Sequence, residues 1–227
     1  GANEDGLTTA AASFTLEEMF YEVIESGNIE AVKKIMASEN NFPSWVYNHA
    51  IIHAALVNNM EIFNLLLPYS DNVNENSGAA FYYACKNNNL QMAKTLLDRG
   101  SSIDGFNHGA MYQACSEGHL EMVKFLLEAG SDVPSDCVRW AAANGHLDVI
   151  KFLRENRINL HENEEHPMCF AAYYGHFDIV KYLIEDGSDL CQKIIFQKVV
   201  KHARDGRHDG MEEYIKSLCP RWKNELV

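Results

Sequence analysis

The chain of 227 residues carries 32 acidic against 19 basic side chains, a formal charge of −13. That balance opposes non-specific adhesion to nucleic acid or to an anionic membrane, and a hydrophobic content of 47% excludes wholesale disorder. No apolar run reaches the roughly 18 residues of a membrane span, and the first residues lack the basic and apolar stretches of a signal peptide.

Residues 1–13 are small and polar and read as a disordered tail. Thr15–Ser26 is predicted as a helix, because Thr15 is an N-cap residue and Glu18 follows three positions on, completing a capping box. From there the chain repeats itself. Gly27-Asn28-Ile29-Glu30-Ala31-Val32 is followed by diverged copies at Asn58-Asn59-Met60 and Asn88-Asn89-Leu90. Gly118-His119-Leu120-Glu121-Met122-Val123-Lys124-Phe125-Leu126-Leu127 returns at Gly145-His146-Leu147 and again at Gly175-His176-Phe177. The anchors at positions 29, 60, 90, 120, 147 and 177 are 31, 30, 30, 27 and 30 residues apart.

Each unit reads as two helices. Leu120, Val123 and Leu127 share one face of the second, while Glu121, Lys124 and Glu128 mark the wet side. Gly130 supplies the left-handed residue that ends it. A first helix precedes each anchor, at Met111–Glu117, Cys137–Asn144 and Met168–Tyr174. Each carries a pair of small residues: Ala54-Ala55, Ala84-Cys85, Ala114-Cys115, Ala141-Ala142 and Ala171-Ala172. Small residues there let neighbouring helices approach, and a lone pair of helices cannot bury its apolar faces, so the units must stack. Beyond Asp189 the pattern loosens. Ile194–Ala203 and Met211–Leu218 are predicted as the helices of a degenerate C-terminal cap (residues 191–227), with Glu212, Glu213 and Lys216 on its solvent side and Pro220 ending it.

At these residues the chain resembles the ankyrin repeat family, over about residues 14–190. The A-x-x-G-H-x-x-V-V-x-L-L-L half of the family's pattern is matched, while its T-P-L-H slot keeps only Pro167. The repeats are also about three residues shorter than the family's. The resemblance implies an all-α solenoid of about seven helix-turn-helix repeats, with terminal caps and short β-hairpin loops, and with turns that need bonds other than those of T-P-L-H. Short repeats of this form are similar to ankyrin proteins of large DNA viruses of amoebae and, less closely, of intracellular bacteria. The family's function implies a protein-protein interaction module, with no catalysis and no cofactor.

Candidate chemistry is sparse. His49 and His53 have the i,i+4 spacing of zinc ligands but no third ligand placed with them, and they read as ordinary helix residues. His119, His146 and His176 stand a repeat apart, about 10 Å, too far to share a metal; in the family this histidine supports the turn. Cys85 and Cys115 occupy the small position and read as compact hydrophobes. The six cysteines include no C-x-x-C pair and read as free thiols of an intracellular, cytoplasmic protein. No phosphate-binding or catalytic motif is present.

In the family the first helices line a concave groove, and the two residues after the small pair point into it. Here those are Lys86 and Asn87, Ser116 and Glu117, Ala143 and Asn144, and Tyr173 and Tyr174. Tyr82, Tyr112 and Arg139 lie on the same helices, and Tyr, Trp and Arg are the residues that dominate binding hot spots. The candidate partner-binding set is therefore Tyr82, Lys86, Asn87, Tyr112, Ser116, Glu117, Arg139, Asn144, Tyr173 and Tyr174. Tyr83, Trp140 and Phe170 are expected in the core, and the residues leave Tyr112 and Arg139 open between core and surface. The expected partner is a protein, basic to match an acidic rim, bound by a monomeric stack that takes neither nucleic acid nor membrane. An adaptor within a larger assembly, such as a ubiquitin ligase, and an enzyme with a cryptic Cys/His site are the competing readings.

Overall fold

The structure, a computed structural model, describes residues 15–38 and 42–225. The tail expected at residues 1–13 lies outside them. The described residues form helix pairs in strict succession. The first two pairs are α1 (Leu16–Glu25) with α2 (Ile29–Ser38), and α3 (Ser44–Leu56) with α4 (Met60–Leu66). Next come α5 (Glu75–Lys86) with α6 (Leu90–Asp98), and α7 (Gly105–Ser116) with α8 (Leu120–Glu128). Then α9 (Asp136–Ala143) pairs with α10 (Leu147–Glu155), and α11 (Glu162–Tyr174) with α12 (Phe177–Glu185). The last pair is α13 (Lys193–Asp205) and α14 (Asp209–Leu218). Each repeated anchor is the first residue of a second helix.

Local chemistry explains the boundaries. Thr15 caps α1 through a complete capping box, its N–H donating to Glu18 Oε2 at 2.8 Å. Gly130 ends α8 with φ +91°, and the next N–H, of Ser131, reaches back to Leu126 O at 3.0 Å, so the last carbonyls of the helix are satisfied. Some first helices begin earlier than predicted, but with a distorted turn. Asn76, Ser77 and Gly78 are left-handed within α5, Phe106 and His108 within α7, and Glu165 within α11. The right-handed stretch of α11 therefore starts around Pro167, a residue tolerated at a helix start because its missing N–H has no partner to lose there.

The core runs as a continuous strip between the two helix layers. The second helices contribute Ile62, Phe63 and Leu66, then Met92, Ala93 and Leu96, then Met122, Val123 and Leu126, and the later repeats keep the register. Full burial of such a side chain is worth about 1.5–3 kcal/mol. The face expected for α8 was thus rotated: Val123 is buried, but Leu120 and Leu127 are half-buried at its edges, where neighbouring second helices diverge. First helices pack closely on one another through Ala84, Cys85, Ala114, Cys115, Ala141, Ala142, Ala171 and Ala172, all fully buried. Second helices barely meet. Close approach on one side and splaying on the other curve the stack, with the first helices inside.

No β-strand occurs among the described residues, which corrects the expected hairpin loops. Side chains close the loops instead. Asn74 Nδ2 donates to Gly100 O (2.7 Å), and Ser131 Oγ donates to Asp104 Oδ1 (2.8 Å). Buried Asn48 binds the 70–72 turn, accepting from Ser70 Oγ and from the N–H groups of Asp71 and Asn72, while its Nδ2 donates to Asp71. These bonds replace the turn chemistry that the missing T-P-L-H would supply.

The terminal pair α13–α14 departs from expectation at Glu212 and Lys216, the latter half-buried beside the former. Glu212 is not on the solvent side: it is buried, 2.9 Å from Arg204 Nη2 and 2.7 Å from Lys216 Nζ. Hydrogen bonding from Arg204, seconded by Lys216, holds its carboxyl below the usual 4.5 despite burial. Trp222 folds back, its Nε1 donating to Cys191 O at 3.0 Å. A carboxylate whose folded pKa is depressed stabilises above its unfolded pKa, and that contribution is lost as pH falls through the folded value. The cap of the wild type should therefore loosen as pH drops below about 4.5, followed by hydrogen exchange of α14. Glu212→Gln should weaken the cap at neutral pH and flatten that acid dependence.

Candidate functional site

The inner face is organised by a joint that recurs between repeats. At the end of each first helix, carbonyls are left without intrahelical donors. The next repeat supplies them. His119 Nε2 donates to Lys86 O (3.3 Å), His146 Nε2 to Ser116 O (3.0 Å) and His176 Nε2 to Ala143 O (2.9 Å). Each acceptor is the first residue after the small pair of the preceding repeat.

Asparagine works at the same joint. Asn87 Nδ2 donates to Ala55 O (2.8 Å) and Leu56 O (3.2 Å), and Asn144 Nδ2 to Ser116 O (2.7 Å) and Ser116 Oγ (3.0 Å). The rings of His146, His176 and His208 lie over the left-handed Gly118, Gly145 and Gly175 of the repeats before them. A Cβ added at Gly145 would stand 2.8 Å from the His176 ring, and one at Gly175 would stand 2.6 Å from that of His208.

This joint sorts the ten candidate residues. Ser116 is buried with its hydroxyl taken by Asn144, and Asn87 and Asn144 spend their amides on carbonyls of the preceding repeat. These three act in the stack because a donor-poor helix end lies within their reach. Lys86 and Glu117 are exposed at the ends of their helices. Tyr173 and Tyr174 are 38% and 48% exposed, in edge-to-face contact at 4.9 Å.

Tyr82, Tyr112 and Arg139 are half-buried and belong to an aromatic stripe along the first helices. Tyr82 stacks on Phe106 (5.0 Å), and Tyr112 meets Trp140 edge-on (6.2 Å). Trp140 leads to Phe170 and Phe170 to His202, each at 6.2 Å. The Arg139 guanidinium lies 5.2 Å from the Trp140 ring and 5.3 Å from that of Phe170, while its Nη2 pairs with Asp136. Arg139 Nε is buried with no hydrogen-bond partner. Tyr83, Trp140 and Phe170, expected in the core, are half-buried instead and keep an edge on this face. Burial raises the Tyr112 hydroxyl above its ordinary pKa, and Arg139 partly offsets the shift.

Exposed apolar residues outside the candidate set include Leu56 (42%), Phe106 (47%), Phe177 (44%) and Trp45 (49%). Leu56 was detectable, since it follows the small pair Ala54-Ala55. Phe106 was not, because it lies in the distorted start of α7.

Metal and thiol chemistry finds little purchase. His53 Nδ1 donates to Glu25 Oε1 at 2.6 Å and its ring stacks on Tyr21, whereas His49 Nδ1 donates to Trp45 O. Asp104, His108 and Asp132 bring ligand atoms within 4.8 Å of one another, but Asp104 already accepts from Ser131 and lies 3.1 Å from His108 Nδ1. Burial pushes the Cys85 thiol up, and a hydrogen bond with Cys137 together with burial does the same to Cys115, so neither supplies a thiolate.

Comparison with known families matches the model described as ankyrin repeats in three overlapping copies, at residues 20–107, 52–137 and 111–194. The chain belongs to the ankyrin repeat family. Ankyrin repeats generally mediate protein-protein interaction and are typically non-catalytic. No curated protein matches the chain, so the kinship with viral or bacterial ankyrin proteins has no relative to rest on. No described helix is long and apolar enough to cross a membrane.

The joint separates structural from surface positions by experiment. Asn144→Ala should cost about 1 kcal/mol, because it removes two hydrogen bonds to buried Ser116, whose carbonyl keeps only the one from His146, whereas Lys86→Ala and Glu117→Ala should stay within about 0.5 kcal/mol. Urea unfolding of the three variants checks this.

Proposed function

We propose that the inner face of the stack binds a protein partner, with Tyr173 and Tyr174 as anchors. The observation that carries this reading is the exposure of two adjacent, mutually packed tyrosines at the end of α11. At the equivalent places earlier repeats carry Leu56 and Val57, Lys86 and Asn87, Ser116 and Glu117, or Ala143 and Asn144, none of them aromatic. Tyrosine loses little conformational entropy on binding and presents a large amphipathic surface. Phe177, opening α12 three residues on, extends the apolar area, and the half-buried stripe from Tyr82 through Arg139 continues it along the first helices.

Charge supports a basic partner. Residues 1–190 hold 27 acidic against 11 basic side chains, a rim that speeds encounter with positive surfaces. The stack works as a monomer in this reading. Cysteines buried along the first helices, at Cys85, Cys115, Cys137 and Cys169, suit a reducing, intracellular setting.

The test is affinity enrichment from cell lysate with lysine cross-linking, comparing wild type with Tyr173→Ala/Tyr174→Ala. A partner enriched by the wild type should cross-link near Lys86 and should bind the double variant roughly 30-fold more weakly or worse. Unchanged affinity would place the site elsewhere.

A further inference from the structure

Two of the six cysteines are unlike the rest. Cys85, Cys115, Cys137 and Cys169 are fully buried along the first helices. Cys191 is exposed in the turn between α12 and α13, and Cys219, 3% exposed, directly follows α14. Their sulfurs lie 2.8 Å apart although 28 residues separate them in sequence.

Bonds that do not involve sulfur already hold the two segments together. Arg221 Nη2 donates to Cys191 O at 2.6 Å, and Trp222 Nε1 donates to the same oxygen at 3.0 Å. The Trp222 ring is flanked by Arg221, 4.9 Å from its centroid, and by Lys193 Nζ, at 5.5 Å. An accessible sulfur thus faces a shielded one across a preformed contact, the arrangement of an attacking and a resolving thiol.

We propose that Cys191 and Cys219 form a reversible dithiol–disulfide pair, oxidised by small disulfides such as glutathione disulfide, that closes the terminal helix pair α13–α14 end to end. In the first step the Cys191 thiolate attacks one sulfur of glutathione disulfide. A bond forms between Cys191 Sγ and that sulfur, the glutathione S–S bond breaks, and one glutathione leaves as thiolate and takes up a proton. In the second step Cys219, having lost its proton, attacks Cys191 Sγ. The protein disulfide forms, the mixed disulfide breaks, and the second glutathione departs as thiol. Two protein thiols are oxidised and one glutathione disulfide is reduced to two glutathiones.

Burial, then the hydrogen bond to Cys191, pushes the Cys219 thiol up to about 12. The buried sulfur thus keeps its proton until the exposed one has reacted, which sets the order of the steps. The four core thiols are out of reach of the oxidant, so the reaction is confined to this pair.

The experiment incubates the full chain in glutathione redox buffers, quenches with acid, alkylates the remaining thiols after denaturation and maps peptides by mass spectrometry. The wild type should lose two alkylatable thiols together and yield one linked peptide joining Cys191 to Cys219. Cys191→Ser, at an exposed position, should keep every remaining thiol free. Cys219→Ser and Cys219→Ala should stop at a glutathione adduct on Cys191. Oxidation of the wild type, but not of Cys191→Ser, should slow hydrogen exchange in α13 and α14 by roughly tenfold or more. The proposal fails if the wild type accumulates the adduct on Cys191 with Cys219 still free, or if core cysteines react as readily as Cys191.

Discussion

The first helices α3, α5, α7 and α9 end with carbonyls that the helix itself does not satisfy, and the stack is arranged around satisfying them from the next repeat. A histidine or asparagine two to four residues after the small pair turns back to donate to the preceding helix end. The donor reaches only if first helices approach closely, which the alanines and cysteines of the small pair allow. The ring then occupies the space above a left-handed residue, where a side chain would intrude. Close packing, left-handed glycine and ring donor are three aspects of one constraint, and together they set the curvature of the solenoid.

The same constraint decides what is left for function. Positions after the small pair divide into those consumed by the joint and those free to vary. Asn87, Ser116 and Asn144 are consumed; Lys86, Glu117, Tyr173 and Tyr174 are not. Side chains that the joint does not need remain for the surface, and among them Tyr173 and Tyr174 form the one aromatic pair after a small pair in the described repeats, with Leu56 the other exposed apolar residue at that position.

Much of the fold was legible because the repeat is written in residue types with mechanical roles. The anchors at 29, 60, 90, 120, 147 and 177 each proved to be the first residue of a second helix, and Thr15 with Glu18 marked the start of the first. The last repeat was harder to read. Arg204 replaces its second small residue, and Arg207 rather than Gly206 takes the left-handed turn, with φ +61°. His208 nevertheless occupies the joint position, its N–H donating to Ala203 O as that of His176 does to Ala171 O. Side-chain roles were less legible than helix positions. Asparagine and serine near a helix end read equally as surface or as cap, and Glu212 looked wet until the fold brought Arg204 beside it. The expected hairpins failed for a related reason: Asn74, Asp104 and Asn48 close the loops with side-chain bonds that periodicity does not reveal.

The joint is tested most directly by a double-mutant cycle between Gly145→Ala and His176→Ala, read by urea unfolding. Alone, Gly145→Ala should lose about 1–2 kcal/mol for the left-handed backbone and a further steric contribution from the methyl standing 2.8 Å from the His176 ring. Removing the ring should relieve that second part, giving a coupling of about 1 kcal/mol or more, with the double variant more stable than the sum of the singles. Additivity within about 0.5 kcal/mol would contradict the account, because it would mean that glycine and ring do not share one packed joint.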